Sequence, residues 1–431
     1  MLKIDMIFNI SHIYFKVSYN LNKKEDSMSI STLENLAETS MEYKLLDWFQ
    51  NTDEYKEIHK FTNYIPLGKI SPHNEEEFLS DTTKMIYLDV INRYRNLEDK
   101  HEYFVLLMSA LCCKLGKPMS RSINKLNHAV KTFNYENISI FMTINVFYKY
   151  IKDGCLDTIF KMTNKDMSDI LFIVGNQEMF KYRKDLDVYR VYADKMNLVY
   201  KFALSEDSGR ICRKKFKRDL SIVEKCLNTY EEYKSTLKNE PKENSIIFIG
   251  GVPCSGKTTF IKNKVESGEY NEGYVLSRDD IIENLYVPGI ELGNTFTERF
   301  ENITKHKLHK KVDDDFKYKF TSSINRIVDQ NLNIDIVIDK TNLNSTSRVD
   351  YSKGHNIEKI ARQNMKKFKK VFILMCTPLE IVFKRNDERF KNTGKFISED
   401  IILNMIKSSS IPSYEEFDEI IYEFCDELKI D

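Results

Sequence analysis

The stretch IIFIGGVPCSGKTT, residues 246–259, decides the fold of the C-terminal half of this chain. An apolar run, Ile246–Ile249, leads into a short loop, and a segment with helical spacing, Thr258–Glu266, follows. From Gly251 to Thr258 the loop matches the pattern G-x-x-x-x-G-K-[ST] in the strand-to-helix context that the pattern requires. Glycines let backbone N–H groups converge on phosphate oxygens, and the helix N-terminus adds a positive end. The stretch therefore predicts a phosphate-binding loop (P-loop).

Residues predicted to contact ATP lie in this loop and the first helical turn: Gly251, Val252, Pro253, Cys254, Ser255, Gly256, Lys257, Thr258 and Thr259. Lys257 is expected to reach the β and γ phosphates. The Thr258 hydroxyl is expected to bind Mg²⁺. ATP and Mg²⁺ are therefore the expected cofactors, and a chance match to the pattern is the alternative.

Beyond Asn244, short apolar runs alternate with longer helical patterns. The predicted strands are Ile246–Ile249, Tyr274–Leu276, Ile334–Ile338 and Val371–Met375. The predicted helices include Thr258–Glu266, Phe296–Val312 and Leu379–Phe390. Such alternation predicts a parallel sheet covered by helices, the αβα fold of P-loop NTPases.

Before the P-loop the pattern is helical, and strand-like alternation is weak. The predicted helices are Tyr43–Ile58, Phe104–Leu115, Asn137–Ile151, Met167–Phe180 and Ser208–Lys238. Pro241 lies in a polar cluster, Lys238–Asn244, that is the best candidate boundary. The predicted fold class is thus α followed by α/β. We expect a lead-in over 1–74, an all-α domain over 75–205, a linker helix over 206–243 and the P-loop domain over 244–431.

The composition narrows the class of protein. With 42% hydrophobic residues, the 431-residue chain can bury cores and is not a disordered protein. Basic and acidic residues both number 65, so any contact with nucleic acid must come from local patches. No apolar run reaches spanning length, and the eight cysteines form no C-x-x-C pair. We therefore expect a cytoplasmic protein with no membrane partner, while the oligomeric state is not indicated.

Two acidic residues follow the second predicted strand in Ser277-Arg278-Asp279-Asp280. In open α/β sheets, ligands bind at the carboxyl ends of strands. A carboxylate at that edge can accept the proton of an attacking hydroxyl, and we assign this role to Asp279. The alternative is that one of the pair caps a helix, which suits Asp280 better.

The third predicted strand also ends in polar residues, Asp339-Lys340-Thr341-Asn342-Leu343-Asn344. Their side chains can position an acceptor or order the water shell of Mg²⁺. The alternative is a loop whose asparagines only form turns.

Arg385 and Arg389 are four residues apart on a predicted helix and share one face. Two guanidinium groups on one face suit the charge of a transferring phosphoryl group. On spacing alone, a solvated helix with pairs to Asp387 and Glu388 is the better interpretation.

Taken in order, these four segments resemble the 5′-polynucleotide kinase family. That family has G-x-P-G-S-G-K-[ST], then R-D-D, D-T-N-x-N and K-R-N-x-x-R. This chain has GVPCSGKT, RDD at 278–280, DKTNLN at 339–344 with one inserted residue, and KRN…R at 384–389. The resemblance covers about residues 244–431.

The resemblance implies transfer of phosphate from ATP to the 5′-hydroxyl end of RNA or DNA, in end repair. Asp279, Lys257 and Arg385 would then be catalytic, with Arg385 and Arg389 on the ATP phosphates. The implied acceptor-binding residues are Arg278, Asp280, Asp339, Thr341, Asn342, Asn344 and Arg348. Cys254 departs from the family's glycine. Residues 281–284 lack the arginine that clamps the acceptor in the bacteriophage form, which leaves the acceptor open, with Lys340 and Arg348 as substitutes.

The helical half is similar to HD-superfamily phosphohydrolases. LMSALCCKLGKP at Leu107–Pro118 resembles A-L-L-H-D-[IL]-G-K-P, and Leu88–Arg93 and Asn134–Ser139 resemble its flanking motifs. The places of the metal ligands hold Arg93, Cys113, Lys114 and Tyr135. A lysine there should repel a metal, so we expect a degenerate, metal-free domain with a possible RNA-binding role. The alternative is an unrelated helical bundle.

Two further functions stay open from sequence alone. One is a P-loop kinase that phosphorylates a small molecule. The other is an RNA-binding protein that uses ATP as a switch without transfer. The basic clusters Arg213–Arg218 and Lys366–Lys370 could contact a phosphate backbone or simply form solvated surface.

Overall fold

The computed structural model describes residues 37–61, 64–65, 69–70, 79–123, 130–132, 134–177, 193–209, 220–221, 224–225, 228–229, 244–410, 412 and 416–430. Outside these ranges lie most of the predicted linker helix, the predicted boundary before Asn244 and the basic cluster Arg213–Arg218. The chain divides into two units, Met1–Trp48 and Phe49–Asp431. The second unit contains both the helical segment, residues 53–209, and the P-loop domain, residues 244–430.

Helices dominate the chain before the P-loop domain. They are α1 Met41–Gln50, α2 Asp53–Lys60, α3 Leu79–Tyr94, α4 Lys100–Cys112, α5 Lys117–Ser120, α6 Tyr135–Lys152, α7 Cys155–Thr158, α8 Asn164–Asn176 and α9 Ala193–Gly209. The buried helix predicted over Phe104–Leu115 corresponds to α4. Asp99 caps its N-terminus by accepting hydrogen bonds from the N–H groups of His101 and Glu102. The single helix predicted over Tyr43–Ile58 is wrong, because Thr52 accepts from the Tyr55 N–H and begins a new helix.

Short antiparallel strand pairs accompany these helices. Strand β1 (Tyr64–Ile65) pairs with β2 (Lys69–Ile70), and β3 (Arg121–Ile123) pairs with β4 (Val130–Thr132). The second pair lies inside the segment that the sequence predicted to be all-α. Strands of two or three residues are too short to leave a visible alternation, so the pattern missed them.

Lys114 is fully enclosed in the helical segment, with 2% of its surface exposed. Its Nζ forms a short ion pair with Glu206 of α9 and donates to Gln177 Oε1 at 3.1 Å and Tyr135 Oη at 3.4 Å. Gln177 in turn donates to the carbonyl of Cys113 at 2.7 Å. One packed polar cluster therefore contains three of the residues that stand at the places of the HD metal ligands, namely Cys113, Lys114 and Tyr135.

The P-loop domain is built on a parallel sheet. Its strands are β5 Asn244–Gly250, β6 Val275–Ser277, β7 Ile336–Asp339, β8 Phe368–Cys376 and β9 Glu419–Phe424. Neighbouring strands follow the order β6-β7-β5-β8-β9, and every neighbouring pair is parallel. The parallel sheet and its first four strands are confirmed. The sequence missed β9, an edge strand whose residues are mostly only half-buried.

The helices of this domain follow and precede the strands in alternation. They are α10 Lys257–Glu266, α11 Arg278–Asn284, α12 Phe296–Lys305, α13 His309–Asp329, α14 Ser345–Ser352, α15 Lys359–Asn364, α16 Leu379–Thr393 and α17 Glu399–Lys407. The single helix predicted over Phe296–Val312 is wrong, because the helix is interrupted between the end of α12 and the start of α13. Lys307 has a φ of 56° there, and the Leu308 N–H returns to the Ile303 carbonyl at 2.8 Å. This is a helix end without the glycine that usually signals one.

One apolar layer holds α10 against the sheet. Ile261 of α10 packs in a buried cluster with Ile247, Ile249, Val337 and Ile373 from the three central strands. Each fully buried side chain of this size contributes about 1.5–3 kcal/mol. The layer thus fixes where the loop between β5 and α10 lies. No helix within the described ranges combines the length and apolar composition needed to cross a bilayer.

Replacing Lys114 with methionine should lower the free energy of unfolding by about 3–5 kcal/mol, because Glu206 stays buried after losing its charge partner. Urea unfolding of the full chain measures this loss. The double variant Lys114→Met/Glu206→Leu removes both charges and should recover most of it. A double variant as unstable as the single one would show that the ion pair is not the cause.

Candidate active site

The loop Gly251–Gly256 joins β5 to α10 and has a backbone that most residues disfavour. Gly256 has a φ of 93°, and a Cβ added at Gly251 would lie 2.5 Å from Ser255 Oγ. Glycine is therefore required at both positions. Cys254 adopts a φ of 63°, which costs a non-glycine residue about 1–2 kcal/mol. The position at which this chain has Cys254 in place of the family's glycine therefore has a left-handed backbone conformation.

Lys257 folds back over the loop. Its Nζ donates hydrogen bonds to the carbonyls of Gly251 at 2.9 Å and Val252 at 2.8 Å. The hydroxyl of Ser255 is buried and has no hydrogen-bond partner among the described residues. A bound phosphate would give both groups a charged partner, because buried polar groups are nearly always hydrogen-bonded. The loop therefore fits a nucleotide phosphate.

A cavity of about 1700 Å³ opens over this loop. Pockets for one small ligand usually measure about 300–1,000 Å³, so this cavity has room for a nucleotide and an acceptor together. Predicted site residues that line it are Pro253, Cys254, Ser255, Gly256, Lys257, Thr258, Thr259, Arg278, Asp279, Asp339, Thr341, Arg385 and Arg389. The four segments singled out in the sequence thus meet at one place.

Asp279 lies in the first turn of α11, exposed toward the cavity. The cap of that helix is Ser277, whose hydroxyl oxygen accepts a hydrogen bond from the Asp280 N–H at 3.3 Å. The expectation that one of the two aspartates caps the helix is therefore wrong. Asp279 is left available to a ligand, whereas Asp280 is exposed and does not line the cavity, against its predicted role in acceptor binding.

Electrostatics couple Lys257 to the two carboxylates at the strand ends. Burial lowers the pKa of the Lys257 ammonium to about 8, and the charges of Asp339 and Asp279 oppose that shift. Burial raises the pKa of Asp339 to about 6, and the attraction of Lys257 opposes it. Lys257, Asp279 and Asp339 therefore act on one another across the floor of the cavity.

Asn342 and Asn344 do not face the cavity, so their predicted roles in acceptor binding are wrong. Asn342 is 1% exposed, and its Nδ2 donates to the carbonyls of Ile249 at 2.9 Å and Ile338 at 3.1 Å. Asn344 caps α14 by accepting a hydrogen bond from the Thr346 N–H at 2.9 Å. The alternative of turn-forming asparagines thus describes these two residues better.

Arg348 is also excluded from the cavity. Its guanidinium is fully buried and binds both carboxylate oxygens of Glu416, at 3.1 and 3.0 Å. It also donates to the carbonyls of Asn342 and Ser410. Because its guanidinium is buried and bound to these partners, Arg348 stabilises the fold, and its predicted role in acceptor binding is wrong.

Arg385 and Arg389 project from α16 toward the P-loop. Arg385 donates to both carboxylate oxygens of Glu427, each at 3.2 Å, and Arg389 Nη1 lies 3.7 Å from the sulfur of Cys254. The pairing with Asp387 and Glu388 that spacing favoured is wrong, because the described ion pair of Arg385 is with Glu427. Both guanidinium groups line the cavity beside the P-loop.

Several residues that line the cavity carry no sequence signal. Lys395 follows α16, and its Nζ lies 3.2 Å from the ring centre of Phe296 on α12. Phe296 and Phe300 stack with their rings 6.2 Å apart, and Phe300 is 42% exposed. Lys340 lies over the rings of Phe316 and Tyr351 at 5.0 Å from each. Lys340 lies in the predicted segment Asp339–Asn344, whereas Lys395, Phe296 and Phe300 belong to no recognised motif. Only the packing of α12 and α16 brings those three residues to the site.

The residues present fit a magnesium ion that accompanies a nucleotide. The Thr258 hydroxyl and the Asp339 carboxylate are oxygen donors on the same cavity wall as Lys257. Magnesium usually binds one or two such protein oxygens together with phosphate oxygens and water. These two residues would hold the ion.

Comparison with known proteins supports the domain assignment at a coarse level. A family model described as an AAA domain matches residues 246–411. This part of the chain is a P-loop domain of the kinase or NTPase type. The comparison with curated proteins found no match.

Nucleotide affinity should fall as the pH rises above about 8. Bound phosphate favours the charged form of Lys257, whose pKa in the free protein is about 8, so binding requires proton uptake above that pH. The expected loss approaches tenfold for each further pH unit. Titration with a fluorescent ATP analogue and Mg²⁺ from about pH 7 to about pH 9.5 measures it.

The control is Lys257→Arg, because a guanidinium stays charged over this range. Its affinity should be lower overall but nearly constant with pH. An equal alkaline decline in both proteins would assign the effect to another group.

Proposed function

We propose that this protein transfers the γ-phosphoryl group of ATP to the 5′-hydroxyl end of a polynucleotide. One observation carries the proposal: Lys257, Asp279, Arg385 and Arg389 come from separate segments and line the same cavity. Such a transfer needs a cation at the phosphates, a carboxylate near the acceptor hydroxyl and further cations on the transferred group. Lys257, Asp279 and the two arginines are groups of these kinds. The ordered resemblance to 5′-polynucleotide kinases supports the choice of acceptor.

In the proposed reaction the acceptor oxygen forms a new bond to the γ phosphorus while the bond from that phosphorus to the β-γ bridging oxygen breaks. Asp279 accepts the hydroxyl proton, and ADP leaves with the bridging oxygen. Lys257 on one side, with Arg385 and Arg389 on the other, neutralises charge on the oxygens of the phosphoryl group. Magnesium, when bound, would supply further charge neutralisation on the phosphates.

Aromatic rings beside Asp279 support an acceptor that carries a base. Helix α12 packs beside α11, since Arg299 donates to the carbonyls of Ile282 and Leu285. Phe296 and Phe300 of α12 therefore lie on the Asp279 side of the cavity. Every base has a π-face, and such rings bind bases without reading sequence. Lys395, close to Phe296, adds a cation that suits a phosphate of the acceptor strand.

A small-molecule acceptor is the second candidate, and the carboxylates on one wall of the cavity favour it. The same side of the cavity is lined by the carboxylates Glu301, Asp313, Asp314 and Asp350. Unpaired, these would repel a polyanion. Arg278 pairs with Asp313 at 3.2 Å, however, and Lys317 pairs with Asp350 at 3.4 Å. These two pairs offset two of the four carboxylates, and those of Glu301 and Asp314 remain on this wall.

We also propose that the helical segment is a degenerate HD-like domain. Lys114 lies where the resemblance places a metal ligand, and its ammonium pairs with Glu206. An internal cation would replace the charge of a metal in holding the helices together. The domain would then serve as scaffold or RNA contact and not as a phosphohydrolase.

The central experiment incubates the full chain with γ-labelled ATP, Mg²⁺ and a 5′-hydroxyl oligonucleotide, as RNA and as DNA. Label should appear on the 5′ end. Asp279→Asn should lower the rate about 100- to 10,000-fold, the range for loss of a general base. Asp280→Asn is the matched control, because this neighbouring carboxylate lies outside the cavity, and its rate should stay within about threefold of the wild-type rate.

Other outcomes select the competing functions. Label on a small metabolite alone would reject the polynucleotide acceptor and support the second candidate. Nucleotide binding that survives Asp279→Asn, with no transfer by the intact protein to any acceptor, would leave an ATP-dependent switch.

Phe300→Ala should raise the KM for the oligonucleotide about 5- to 150-fold, because stacking of one base on an aromatic ring contributes about 1–3 kcal/mol. The KM for ATP should not change. Tyr318→Ala is the matched control, since this ring is 74% exposed and lies outside the cavity lining. Equal effects of the two variants would remove Phe300 from the acceptor site.

A further inference from the structure

Helix α16, which carries Arg385 and Arg389, has no cap from its own chain segment. It begins at Leu379 after Pro378, and the residue at its cap position makes no side-chain hydrogen bond to the helix. The first N–H groups of any helix lack partners within the helix and need acceptors from elsewhere.

The helical segment supplies that acceptor. Asn145 of α6 accepts a hydrogen bond through Oδ1 from the Leu379 N–H at 2.9 Å, across 234 residues of sequence. About two turns further along α6, Lys152 lies 3.3 Å from Glu380, but both side chains of this pair are exposed and the pair adds little stability. The start of the arginine helix is thus held by a side chain from outside the P-loop domain.

A second link joins the helical segment to the carboxylate partner of Arg385. Asn164, at the start of α8, forms two hydrogen bonds with the backbone of Ile430: Nδ2 donates to its carbonyl at 3.4 Å, and Oδ1 accepts from its N–H at 3.2 Å. Glu427, three residues earlier, binds Arg385. The helical segment therefore contacts both the helix that carries Arg385 and the tail that carries its partner.

We propose that the helical segment positions the phosphate-binding arginines of the P-loop domain, and that Asn145 is the positioning residue through which it acts. The inference rests on the proposed function only in taking Arg385 and Arg389 as phosphate contacts. Asn145 does not line the cavity, so it acts through the first turn of α16. A ligand that moves α6 would change nucleotide affinity, and by linkage nucleotide would change the affinity for that ligand.

The test replaces Asn145 with alanine in the full chain and measures two quantities that need no acceptor. Hydrogen exchange of the α16 amides should become about fivefold faster, the change expected for loss of a typical N-cap. The Kd for an ATP analogue with Mg²⁺ should rise about two- to fivefold. Asn145→Asp should restore both values, because aspartate caps helices as well as asparagine.

The matched control is Asn137→Ala. Asn137 lies on the same helix and also bonds across to the P-loop domain, donating to the Ser409 carbonyl at 2.9 Å, but Ser409 lies outside α16. This variant should leave the Kd and the exchange of α16 unchanged. If Asn137→Ala weakens nucleotide binding as much as Asn145→Ala, or if Asn145→Ala changes neither quantity, the positioning role is rejected.

A double-mutant cycle tests whether the effect passes through the arginines. In an Arg385→Ala/Arg389→Ala background, Asn145→Ala should cause no further loss of nucleotide affinity. A loss that simply multiplies with that of the arginine variants would overturn the proposal. Because these measurements use binding and exchange, a failure of phosphoryl transfer to polynucleotides would not affect their outcome.

Discussion

The parallel pairing of β5 with β7 and β8 is the constraint on which the site depends. Parallel strands end at the same edge of a sheet, so the loops that follow them meet there. Asn342 reinforces that edge by donating to the carbonyls of Ile249 and Ile338 on the two paired strands. The carbonyl of Thr341 accepts from the Gly251 N–H at 3.0 Å, which ties the first turn of the P-loop to the same place. Residues that look like acceptor contacts in sequence thus hold the phosphate loop in its shape.

Several charged side chains in this protein form ion pairs, and their degree of burial separates structural pairs from groups that a ligand can reach. Arg348 with Glu416 and Lys114 with Glu206 are enclosed pairs that hold their surroundings together. Lys257 differs, because its ammonium rests on loop carbonyls while the carboxylates of Asp279 and Asp339 act on it from the cavity. Unlike the two enclosed pairs, Lys257 lines the cavity, where a ligand can reach it. A site needs such accessible groups, whereas a core does not.

The interface between the helical segment and the P-loop domain includes the start of α16, the helix that carries Arg385 and Arg389. Its described hydrogen bonds reach the start of α16 from Asn145 and Lys152, the tail at Ile430 from Asn164 and the carbonyl of Ser409 from Asn137. All of these contacts except the last reach the elements that carry Arg385 and Glu427. A helical segment placed in this way can influence phosphate binding without contributing a residue to the cavity.

What the sequence determined by itself is the local chemistry: the phosphate loop, the four buried strands and the acidic and basic residues at their ends. These features are encoded within a few residues, so glycine placement and apolar runs reveal them. Tertiary structure decided which of those polar side chains reach a ligand. Arg348 and Asn344 have the chemistry of acceptor contacts, but a carboxylate 68 residues away neutralises the first and the start of a helix takes the second. Lys395 and Phe296 reach the cavity, and Glu427 reaches Arg385, only because separate elements pack against one another. Burial and pairing depend on such long-range contacts, and a one-dimensional pattern does not contain them.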